Sequence, residues 1–104
     1  MNNLFEAIPA DIPDELFNDL LSNPKLRIER IVSYGHASQE NQWYDQEHNE
    51  WVLLIKGKAQ IEFQSDNRIV TLGEGSFLDI PAHTKHRVNW TKRKAQTIWL
   101  AIHY

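Results

Sequence analysis

At 104 residues the chain has room for one core of ordinary size and not for two. Hydrophobic residues make up 41% and charged residues 24%, a balance that fits a folded globular protein and not a disordered one. The net charge of −3 argues against a nucleic-acid partner, and the lack of cysteine excludes disulfides, thiolate metal sites and a cysteine nucleophile.

The beginning, Met1-Asn-Asn-Leu-Phe-Glu, has neither the basic nor the apolar region of a secretory leader. The longest apolar run, Trp51 to Ile55, is too short to cross a bilayer. A cytoplasmic protein with no membrane partner is therefore expected. Residues 1–25 read as a lead-in carrying a short helix, and residues 26–104 as the main body of a single structural domain. Pro13 suits a helix start, Asp14 and Glu15 suit its positive end, and Leu16, Phe17, Leu20 and Leu21 form one helical stripe before Asn23-Pro24. An amphipathic α-helix over 13–22 follows from that pattern.

From Lys25 onwards the pattern is that of strands. The segments 26–34, 51–56, 59–64, 68–72, 77–80, 86–91 and 96–103 are rich in Ile, Val, Trp, Phe and Thr. Ser65-Asp66-Asn67, Gly73-Glu74-Gly75 and Lys92-Arg93-Lys94 separate some of them as turns. Short strands with no helices between them predict an all-β sandwich or barrel. Along one strand Glu50, Val52 and Leu54 share a face, and Trp51, Leu53 and Ile55 share the other. Both faces are apolar beyond Glu50, as they are over Ile98 to Ile102. One face fills the interior, and the other must meet the N-terminal helix or a second subunit. A homodimer is the expected assembly.

Two segments concentrate groups able to do chemistry. Trp43-Tyr44-Asp45-Gln46-Glu47-His48-Asn49-Glu50 precedes the apolar run, and Pro81-Ala82-His83-Thr84-Lys85-His86 leads into Arg87-Val88-Asn89-Trp90. If Val52 and Leu54 face inward, alternation turns Glu50, His48, Gln46 and Tyr44 inward too. On the later strand it gives His86, Val88 and Trp90 one common face. A buried glutamate needs a cation, a proton or a hydrogen-bond network. Glu50 and His86 can therefore share a metal ion or act as a general acid–base pair. Against both stands the plain alternative of a rim-exposed Glu50 and a backbone-bonded His86. Trp43, Trp51 and Trp99 read as core or interface filling, and Trp90 as a pocket wall.

These residues resemble the two signatures of the cupins. Glu50-Trp51-Val52-Leu53-Leu54-Ile55-Lys56-Gly57 is similar to the end of the first, where Glu precedes Gly by seven positions. Gly75 through Pro81 to His86 is similar to the second, G-x5-P-x-G-x2-H. The resemblance covers residues 26–103 and implies a jelly-roll barrel, that is, a double-stranded β-helix. In that pattern three imidazoles and the glutamate hold one divalent metal, such as Mn, Fe, Ni or Zn. Here Tyr44 and Gln46 stand where the His-x-His pair belongs, His83 replaces the signature glycine, and Asn89 comes one residue early. The resemblance then implies a metal held by Gln46, Glu50 and His86, with His48 or His83 as a fourth ligand. Tyr44 joins Glu50 and His86 as a candidate catalytic group. Three functions remain open: a metal-dependent enzyme on a small oxygenated substrate, a small-molecule or sugar-like binding or sensor module, and a metal-free degenerate barrel.

Overall fold

A computed structural model describes residues 2–104. Among them eight strands follow one another: β1 (Leu16–Asn23), β2 (Leu26–Tyr34), β3 (Glu50–Lys56), β4 (Ala59–Phe63), β5 (Ile69–Leu72), β6 (Phe77–Ile80), β7 (His86–Thr91) and β8 (Gln96–His103). They form a five-stranded sheet, β1-β2-β8-β3-β6, and a three-stranded sheet, β5-β4-β7, with antiparallel pairing throughout. The sheets face each other as a jelly roll. Seven of the eight strands lie where alternation and turn chemistry place them.

The N-terminal helix does not form. Residues 16–23 are β1, which makes a hairpin with β2 across Pro24 and Lys25. Its register shifts between Asp19 and Leu21, so Phe17 pairs with Ile31 but Leu21 pairs with Ile28. One extra residue in a strand converts alternation into a spacing of i, i+1, i+4 and i+5, which imitates a helical stripe. A short isolated helix gains little by itself, whereas the edge of β2 offers a full ladder of hydrogen bonds. Arg30 strengthens that choice. It is fully buried on the outer face of β2 and bonds to Asn18 Oδ1 (2.6 Å) and the carbonyls of Leu4 (3.1 Å) and Glu6 (2.5 Å). The lead-in is thereby tied across the sheet by one guanidinium fork.

Inside, Val52, Leu54, Ile80, Trp99 and Ala101 of the larger sheet pack on Ala59, Ile61, Phe63 and Leu72 of the smaller. The β3–β4 turn requires Gly57, whose φ is +97° and where a Cβ would lie 2.6 Å from Thr97 Oγ1. Outside, the apolar face is only partly covered. Trp51 rests on Phe77 with ring centres 5.7 Å apart, Phe77 is exposed, and Leu53, Ile55, Leu100 and Ile102 are half-buried.

Candidate functional site

The larger sheet stacks its inward side chains in layers that the register defines. Arg27, His103, Glu50 and Ile80 are successive cross-strand neighbours on β2, β8, β3 and β6. The next layer holds Glu29, Ala101, Val52 and Leu78, and the third Ile31, Trp99 and Leu54. Polar groups thus gather at one end of the barrel above an apolar floor. From the smaller sheet His86, paired with Phe63, and Val88, paired with Ile61, face this stack. The layers enclose a cavity of about 290 Å³, lined among others by Tyr44, Gln46, Glu50, His86, Trp99 and His103.

Glu50 and His86 meet inside it. His86 Nε2 is 3.5 Å from Glu50 Oε1, and both side chains are at most 10% exposed. His86 Nδ1 donates to the Thr84 carbonyl at 2.8 Å, because a carbonyl can only accept. The other nitrogen, Nε2, therefore gains or loses the proton beside the carboxylate. Burial disfavours the imidazolium, yet the hydrogen bonds to Glu50 and Thr84 and the Glu50 charge outweigh it, and the pKa rises above 6.5. The rim-exposed reading of Glu50 is set aside by these positions.

The segment between β2 and β3 brings in the other groups. It runs beside β7, with Tyr44 and His86 exchanging backbone hydrogen bonds (2.7 and 3.2 Å) and His83 N–H donating to the Gln46 carbonyl (2.8 Å). Tyr44 and Gln46 consequently line the cavity, as alternation requires. The Tyr44 ring stands 5.7 Å from that of His86 at the half-open mouth.

Two expected ligands stand elsewhere. The chain bends at Glu47-His48, which breaks the alternation and leaves His48 exposed, in a hollow with Asn23, Lys25 and Leu26. His83 takes a φ of +60° in the turn where the signature has glycine, and its exposed ring bonds to Asp45 at 3.0 Å. Neither lines the cavity. Trp90 is also misplaced by simple alternation. A bulge at Asn89 lets Val88 pair with Ile61 while Trp90 pairs with Gln60, so Trp90 points outward and Thr91 inward.

Sequence reasoning passed over a second pair. His103 Nε2 lies 2.8 Å from Glu29 Oε1, both groups being buried, and Arg27 Nη1 lies 3.7 Å from Glu29 Oε2. The signal was present in the alternation: Arg27, Glu29 and Ile31 share a face, as do Trp99, Ala101 and His103.

No protein-family model and no curated protein matches the chain. Solved structures do. A protein of Ralstonia eutropha JMP134 that carries the provisional name mannose-6-phosphate isomerase is 44% identical, with a TM-score of 0.93 over 99% of this chain and 95% of its own. A cupin superfamily protein of Desulfitobacterium hafniense DCB-2 is 21% identical, with a TM-score of 0.76 over 92% and 82%. An RmlC-like cupin of Shewanella frigidimarina is 17% identical, with a TM-score of 0.71 over 86% and 74%. The jelly roll with its polar-mouthed cavity has the cupin fold of these structures.

Cupins commonly bind metals. A protein-bound catalytic metal of the zinc type draws at least three side-chain ligands. Among the described residues no group of three or more His, Asp or Glu side chains is arranged to hold one. Glu50 and His86 supply two donors, the His103 nitrogen nearest a carboxylate is engaged by Glu29, and the remaining neighbours are the Gln46 amide and the Tyr44 phenol. This donor set does not fit a resident metal ion. Among the described residues no helix is long and apolar enough to cross a membrane.

Proposed function

We propose that this protein binds a small oxygen-bearing molecule in the barrel cavity, with Glu50 and His86 as its acid–base pair and no resident metal. One observation carries the reading: a carboxylate and an imidazole, 3.5 Å apart, share the polar mouth of a cavity with an apolar floor. A site of this kind orients a ligand through a few convergent polar groups and excludes water with the rest. Proton transfer at a hydroxyl, or at a carbon next to a carbonyl, is the chemistry such a pair can perform. The name of the Ralstonia relative, 44% identical over nearly the whole of both chains, supports a ligand with a sugar skeleton; the phosphate in that name is said of that protein alone. The half-open outer face around Trp51, Phe77 and Leu100 supports a homodimer.

The test uses untagged protein. Elemental analysis after incubation with Mn, Fe, Ni or Zn should find metal well below one ion per chain. A panel of small carbonyl and sugar compounds should include one whose binding is lost in Glu50→Gln and His86→Ala but kept in Trp90→Ser. Stoichiometric metal that disappears in both site variants would replace this reading with a metal-dependent one. Binding indifferent to both substitutions would move the site elsewhere.

A further inference from the structure

The layer that carries Glu50 continues to His103 and Arg27, and Glu29 reaches up to His103 from the layer beneath. Glu15 joins the same cavity from the position just before β1, its carboxylate accepting from the buried Ser33 hydroxyl at 2.5 Å. Three carboxylates therefore line the cavity against one guanidinium and two imidazoles, each imidazole already facing a carboxylate. That guanidinium, on Arg27, stands half-exposed at the rim and already faces Glu29. We propose that Glu29 and His103 form the second half of the ligand site, and that with Glu15 and Glu50 they select an uncharged, hydroxyl-bearing ligand over its anionic esters. The proposal rests on the reading of Glu50 and His86 as a ligand-binding pair.

Two observations converge on this chemistry. First, the Tyr44 phenol at the mouth is shifted above 10.0 by burial and by Glu15, more than its bond to Ser38 lowers it, with Glu50 and Glu29 adding to the rise. The fields of three carboxylates meet at that hydroxyl, and an entering anion would meet the same fields. Second, ionised carboxylates only accept hydrogen bonds, so a partner must donate. A phosphate dianion has nothing to donate, whereas a hydroxyl does. A neutral hydroxyl brings that donor with no charge of its own, and so matches the carboxylates that line the cavity.

Matched probes test this: D-mannose with D-mannose 6-phosphate, and D-ribose with D-ribose 5-phosphate. Binding is followed by NMR at the Trp99 indole N–H and the His86 ring, in the wild type, Glu29→Gln and Arg27→Gln. The free sugar should shift the Trp99 signal at concentrations about tenfold or more below its ester, as expected when like charges are brought together. Glu29→Gln, which removes one carboxylate, should shrink that ratio several-fold. Arg27→Gln alters only a half-exposed rim side chain, so it keeps the fold, and it should widen the ratio. An ester that binds as well as its sugar, or a ratio untouched by both variants, overturns the proposal. A Trp99 signal unmoved by all four sugars, while another compound moves His86 in the wild type and not in Glu50→Gln, overturns this inference alone. Silence of both signals towards every compound overturns the reading beneath it as well.

Discussion

The cavity holds two carboxylate–imidazole pairs, and they are built differently. Glu29 and His103 lie on neighbouring strands of one sheet and touch at 2.8 Å. Glu50 and His86 come from opposite sheets and stand 3.5 Å apart. The backbone ladder fixes the first pair before any ligand arrives, whereas only closure of the barrel fixes the second. A tight pair inside one sheet serves as a rigid wall. A looser pair between sheets leaves its proton and its lone pairs available to a guest.

Breaking the tight pair should have the largest effect. Glu29→Ala leaves a buried imidazole and the neighbouring Arg27 without their carboxylate, and should destabilise the fold by about 3 kcal/mol. Urea unfolding of the variant beside the wild type measures it, and a loss below that of Glu50→Gln would reverse the ranking of the two pairs. Glu50→Gln keeps the shape of the side chain and should lose about 1 kcal/mol, the scale of one loosely held ion pair. That loss depends on pH in a defined direction. The folded pKa of His86 is raised, so the pair stabilises the fold fully below the unfolded value near 6.5 and stops doing so as pH rises through the folded value. Unfolding curves at acid and alkaline pH should therefore differ more between wild type and variant on the acid side.

The smallest effect concerns the turn that leads into β7. His83 occupies a left-handed conformation at φ +60°, where a side chain is strained and glycine is not. Its bond to Asp45 is exposed and weak. His83→Gly should change stability by no more than about 1 kcal/mol, on the stabilising side, and leave ligand binding intact. A thermal melt and a binding titration check both halves, and loss of binding would draw His83 into the site.

Much of this molecule is legible in its sequence, and the failures share one cause. Alternation with turn chemistry locates seven strands, and the inward line of Glu50, Val52 and Leu54 holds because β3 is regular up to Leu54. Pattern reading fails where a strand carries an extra residue. The bulge in β1 disguised an edge strand as a helix, and the bulge at Asn89 turned Trp90 away from the cavity. His48 failed for a related reason, since the chain bends there and a period of two no longer applies. Glu29 and His103 are separated by 74 positions, so their contact depends on β2 and β8 being neighbours, which the sheet order decides. Composition excluded thiolate chemistry, but the charge balance of the cavity became visible only once Glu15, Glu29 and Glu50 stood in one place.

The most direct measurement is an NMR pH titration of the His86 ring in the wild type and in Glu50→Gln. In the wild type the proton should stay on Nδ1 while Nε2 titrates above 6.5, and the substitution should bring that midpoint down. A wild-type ring that titrates at or below 6.5, unmoved by the loss of the Glu50 charge, would mean that carboxylate and imidazole do not share the cavity.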